Sequence, residues 1–90
     1  MARYFVVHTP VIEEATQERL YELLHAVTAA NVPDTEWLAS WVTVDARKMF
    51  CLWEAPGEAA IRAALGEGAL KLNPIEVLYE VVDVNPTNFR

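Results

Sequence analysis

Ninety residues with 13 acidic and 7 basic side chains, a formal net charge of −6, make one domain and argue against nucleic-acid binding, which rests on a basic stripe. The one cysteine, Cys51, excludes an intramolecular disulfide; no apolar run approaches the ~20 residues that span a bilayer; and no secretory leader is visible. The chain therefore reads as cytoplasmic, and its 53% hydrophobic content, high for so small an interior, leaves Trp37, Trp41 and Trp53 as candidates to cover a partner subunit.

Arg3 to His8 is rich in aromatic and β-branched residues and predicts a strand, ended by Thr9-Pro10. Thr16 is a helix N-cap candidate with Glu18 in the first turn. Leu20, Leu23, Leu24 and Val27 then recur at i, i+3, i+4 and i+7, one apolar face of a helix ending near Asn31. Glu36 to Val44 predicts a second strand, with Trp37, Ala39, Trp41 and Thr43 on one side and Leu38, Ser40, Val42 and Val44 on the other. Asp45 to Lys48 is a polar turn, and Met49 to Glu54 returns as the partner strand of a hairpin. Pro56-Gly57 breaks that strand and opens an alanine-rich helix that Gly66 and Gly68 loosen or end. After Asn73-Pro74, Ile75 to Val84 is the last strand, strongly β-prone through Val77, Tyr79, Val81 and Val82. A polar tail, Asn85 to Arg90, carries Phe89.

The order strand, helix, strand, strand, helix, strand predicts an α+β, ferredoxin-like βαββαβ domain. Right-handed crossovers place both helices on one face of a four-stranded antiparallel sheet. The other face has no helix to cover it, so a homodimer packed sheet to sheet, of the dimeric α+β-barrel type, is expected.

The most distinctive segment runs from Lys48 to Gly57, where a strand carrying Cys51 and Glu54 meets a helix start at Ala55-Pro56. This Cys-x-x-Glu-Ala-Pro stretch resembles a family of small bacterial ferredoxin-like proteins that includes a nickel-binding protein. The likeness extends to the opening Arg3-Tyr4-Phe5-Val6 strand, to Glu58 and Ala59 before Arg62, and to the closing Ile75-Glu76-Val77 strand. What the resemblance implies is a ferredoxin-like fold, a homodimer and a bound divalent transition metal, nickel in kind.

Nickel and its first-row neighbours take imidazole, thiolate and carboxylate donors. The candidates here are His8, His25, Cys51 and Glu54. Each has a plainer reading: His8 as a hydrogen-bonded strand-end residue, His25 as a solvent-edge helix residue, Cys51 as a small buried hydrophobe, and Glu54 as an acceptor for N–H groups at the helix start. A different function follows from the aromatic residues. Tyr4, Trp37, Trp41 and Trp53, with Glu80, are placed to line a small-molecule pocket with His8 as general base, as in cofactor-free monooxygenases and cyclases on this fold. No Gly-rich phosphate loop, Cys-x-x-Cys, His-Glu-x-x-His or hydrolase serine motif is present.

Overall fold

Segments rich in aromatic and β-branched side chains form four strands, β1 (Ala2–His8), β2 (Glu36–Val42), β3 (Met49–Ala55) and β4 (Ile75–Val81). The computed structural model describes residues 1–11, 22, 24–27 and 31–90. All strand pairs are antiparallel, in the order β2-β3-β1-β4. The first helix, α1, is described at residues 22 and 24–27; the second, α2, spans Glu58–Leu72. The positions Thr16, Glu18, Leu20 and Leu23 lie outside the described residues. Among those described, no helix is long and apolar enough to cross a membrane.

Both helices lie on one face of the sheet. Val27 of α1 and Ile61, Ala64 and Ala69 of α2 share a core cluster with Val6, Cys51, Trp53 and Ala55 from the central strands. Full burial of a side chain such as Ile61 contributes about 1.5–3 kcal/mol, and here that gain falls on the two middle strands. Asn31 takes φ 47°, a left-handed conformation that asparagine tolerates. The layered α+β arrangement is the ferredoxin-like one.

Two bulges decide which side chains meet. Trp37 pairs with Trp53, but Ala39 pairs with Leu52, so Leu38 is an extra residue in β2. A one-residue slip moves every later side chain to the other face. Trp37 therefore shares the helix-covered face with Trp53, whereas Ala39 and Trp41 share the open face with Leu52 and Phe50. This corrects the expectation that Trp37, Ala39 and Trp41 lie on one side. The second bulge is in β4, where Val77 faces Val7 but Ile75 faces His8, leaving Glu76 between them.

Helix α2 is loosened at Gly66, one of the two expected outcomes, and ended neither there nor at Gly68. It continues to Leu72 through a break at Gly66, which takes φ 79° and ψ 166°. Ile61 and Ala64 before the break and Ala69 and Leu72 after it are all buried. Ala69 lies five positions after Ala64, and a straight helix would turn them to different sides. The left-handed step at Gly66 rotates the last turns so that both halves face the sheet. Open space surrounds the position, so Gly66→Ala should cost about 1–2 kcal/mol through backbone strain alone. Chemical denaturation checks this, and an unchanged midpoint would show that the break relaxes freely.

Candidate functional site

His8 ends β1 on the helix-covered face and is 1% exposed. Its register partner on β3 is Met49 and on β4 is Ile75. Ring atom Nδ1 lies 2.9 Å from the backbone carbonyl oxygen of Asn73. A carbonyl only accepts, so Nδ1 carries the hydrogen and Nε2 keeps its lone pair. Nε2 is buried and has no hydrogen-bond partner among the described residues. Burial holds the imidazole pKa below its ordinary 6.5, against the opposing pull of the Asn73 and Pro74 backbone. A buried, neutral, oriented imidazole results.

Asn73 supplies the second unusual atom at this corner. Its Nδ2 donates to Met49 Sδ at 3.2 Å, and its Oδ1 is buried without a donor among the described residues. Two lone-pair atoms, an imidazole nitrogen and an amide oxygen, thus belong to neighbouring side chains that nothing described satisfies. Imidazole suits nickel, zinc, copper and iron, and the Nδ1–H to carbonyl bond is the usual orienting contact of a metal-ligating histidine. A neutral imidazole with its lone pair unpartnered is the donor type such cations take, and Asn73 Oδ1 is a second unpartnered acceptor.

The other predicted donors are placed elsewhere. Among the described residues, no three His, Cys, Asp or Glu side chains gather as a metal-holding group. His25 is exposed on α1. Cys51 is 3% exposed and faces the core two residues along β3 from Met49. It is bound into a relay in which Trp37 Nε1–H donates to Ser40 Oγ at 2.6 Å and Ser40 donates to Cys51 Sγ at 3.1 Å. Burial pushes the thiol pKa up despite the Ser40 contact, so the plainer reading of Cys51 is the one its surroundings favour. Glu54 alternates with Trp53 onto the open face, opposite Arg3 and Glu36. The α2 N-cap is Gly57, with no side-chain cap, so the expectation that Glu54 caps this helix is corrected: strand alternation turns it away.

The bulge at Leu38 divides the aromatic set as well. Trp37 and Trp53 stack with centroids 6.3 Å apart and planes at 20°. With Val27, Val32, Thr35 and Ala64 they line a cavity of about 260 Å³. Trp41 stands on the opposite face and is 53% exposed. Tyr4 reaches Glu80 across β1 and β4, its hydroxyl donating to Oε1 at 3.5 Å. These five residues do not line one space.

The open face is apolar in its middle. Phe5 stacks on Phe50 at 5.8 Å, flanked by Leu52, Val77 and Tyr79. Charge lies at the strand ends. Arg3 pairs with Asp83 at 2.9 Å at one end; at the other, Lys48 pairs with Glu76, which also accepts from Thr9 at 2.9 Å. Lys48 and Thr9 hold the Glu76 carboxyl below its usual range.

Asn73, Met49 and Ser40 were not foreseen as site residues. Asn73-Pro74 marks a turn in sequence, and nothing in a turn signal announces that its carbonyl will orient a histidine 65 positions away.

Among solved structures, the fold matches that of SCO4226 from Streptomyces coelicolor A3(2) with a TM-score of 0.68, over 93% of this chain and 100% of that one, at 20% sequence identity. Comparison with curated proteins gave no match. The model of the nickel responsive protein SCO4226-like family matches residues 4–77, most of the chain. The chain belongs to the nickel responsive protein SCO4226-like family.

Proposed function

We propose that this chain is a small metal-binding protein of the nickel type, with His8 as its imidazole donor and a homodimer as its working form. The observation that carries the reading is the buried Nε2 of His8, oriented through Nδ1 and without a partner among the described residues. The family's description as nickel responsive agrees with a metal-related role. The dimer rests on the open face, whose apolar middle and charged ends have the anatomy of a protein interface. A reducing, cytoplasmic setting suits the buried free thiol of Cys51.

Calorimetric titration with Ni²⁺ tests the metal reading. Wild type should bind stoichiometrically, and His8→Ala should bind at least about tenfold more weakly. Binding should weaken as pH falls and the imidazole takes a proton. The low pKa of His8 places that loss below 6.5. Circular dichroism of His8→Ala confirms that the variant is folded, and Asn73→Ala, which keeps the backbone carbonyl, probes the second donor. Equal affinity in wild type and folded His8→Ala would remove His8 from the site.

A further inference from the structure

The bulge at Glu76 belongs to a group of polar side chains that the metal reading does not use. Lys48 Nζ donates to Thr9 Oγ1 at 3.1 Å, and Thr9 Oγ1 donates to Glu76 Oε2 at 2.9 Å. Lys48 Nζ also pairs directly with the same Glu76 oxygen. The three chemistries are complementary: an ammonium only donates, a hydroxyl donates and accepts, and a carboxylate only accepts. An isolated, half-exposed ion pair contributes little, but here three groups close on one another.

Their places in the chain give the triangle its meaning. Thr9 directly follows His8, Lys48 directly precedes Met49, and Glu76 stands three positions after Asn73. His8, Met49 and Asn73 are the residues of the buried corner. β3 and β4 flank β1 and are not paired with each other, so the Lys48–Glu76 pair bridges two strand spacings, about 10 Å, at the end of the strand that carries His8. The main chain shows what this bridge holds. Past the end of β1, Thr9 N–H donates to the Pro74 carbonyl at 3.0 Å and Val11 N–H to that of Leu72 at 2.8 Å. The Asn73 carbonyl lies between those two in sequence and accepts from His8 Nδ1. These bonds join the end of β1 to the α2–β4 connection. Links onward to the hairpin come from side chains: Asn73 to Met49 through a weak sulfur acceptor, and Glu76 to Lys48 through an ion pair.

We infer that Thr9, Lys48 and Glu76 are positioning residues for His8: they hold the start of β4 to the hairpin, so that the Asn73 carbonyl stays on Nδ1 and the lone pair stays on Nε2. The consequence for binding rests on the metal reading above, whereas the orientation of the ring is measurable without metal. A neutral imidazole released from that carbonyl distributes its proton between Nδ1 and Nε2. The fraction able to donate from Nε2 then falls, and the apparent dissociation constant rises in inverse proportion.

Nitrogen-15 NMR of the histidine rings in the metal-free chain tests this, because protonated and bare ring nitrogens resonate far apart. Spectra are taken above pH 6.5, where His8 is neutral, and His8→Gln assigns the signals. Wild type should show one His8 tautomer, with Nδ1 protonated and Nε2 bare. Thr9→Val combined with Lys48→Met removes the hydroxyl and the ammonium while keeping their bulk, and should show a mixture of tautomers. Its calorimetric Kd for Ni²⁺ should rise about twofold or more. Thr9→Ser combined with Lys48→Arg restores both donors and should return the wild-type tautomer and affinity. Circular dichroism checks that each double variant is folded; Lys48→Met alone is the milder form and should shift the tautomer in the same direction. A folded Thr9→Val, Lys48→Met chain that keeps the wild-type tautomer would overturn the inference. So would a mixture that persists in the Thr9→Ser, Lys48→Arg chain, since that would mark a loss of structure and not of the polar contacts. A wild type that binds no Ni²⁺ would overturn the metal reading, and the tautomer comparison would still decide the positioning role.

Discussion

Trp53→Ala is expected to destabilise the domain by about 3–5 kcal/mol, a large share of the ~5–15 kcal/mol that holds a domain folded. Trp53 is 2% exposed and sits in the core cluster with Val6, Ala55, Ile61 and Ala64. Its indole stacks on Trp37, and aromatic pairs of this kind add about 0.5–1.5 kcal/mol beyond burial. Truncation enlarges the cavity of about 260 Å³ that Trp53 already lines with Trp37 and Ala64, and removed core volume that is not refilled is the source of the cost. Trp53→Phe should cost much less, because Nε1 has no hydrogen-bond partner among the described residues to lose. Trp41→Ala, at a half-exposed position on the other face, is the comparison and should stay within about 1 kcal/mol in the monomer. Urea denaturation of the three variants checks the ranking. A Trp53→Ala midpoint close to that of Trp41→Ala would mean that the core is not where the register places it.

Thermal stability should fall as pH drops below 6.5, and His8 should be responsible. Its folded pKa is lowered by burial from the ordinary 6.5 that the unfolded chain retains. Above 6.5 both states are neutral and nothing is lost. Below it the unfolded chain takes up a proton that the folded site refuses, so unfolding is favoured progressively until pH reaches the depressed folded value. Glu76 and Asp45 have lowered pKa values too, from 4.5 and 3.8. Their contributions have the same sign but are lost only at lower pH, so among the described groups with shifted pKa values the window just below 6.5 belongs to His8. Melting temperatures across that window should slope in wild type and flatten in His8→Gln. An equal slope in both proteins would assign the effect to another group.

Much of the fold was legible from composition and periodicity. Aromatic and β-branched richness along Arg3–His8 and the return of Met49–Glu54 after a polar turn named two strands, and the aliphatic spacing around Leu24 and Val27 named the first helix. Packing supplied the rest. The extra residues Leu38 and Glu76 look ordinary in a strand sequence, yet each reverses the facing of its neighbours, which is why Trp37 and Trp41 were grouped and the structure parts them. Gly66 and Gly68 read as loosening or ending the helix, because glycine is a poor helix former. Burial of Ala69 and Leu72 outweighs that local cost and carries α2 onward. At the candidate site, His8 was visible as a strand-end imidazole. Its environment was not, since the group that orients it is a main-chain carbonyl, which every residue has.

The bond from His8 to Asn73 joins positions separated by 65 residues, and Met49 comes from a third region of the chain. No local segment assembles this corner. β1 sits between β3 and β4, so the imidazole is oriented only once the hairpin and the α2–β4 connection have both docked on the first strand. During synthesis that condition is met only after β4 has emerged. A nascent chain therefore carries the His8 side chain before it presents the oriented lone pair, and appearance of that donor marks docking of all three strands.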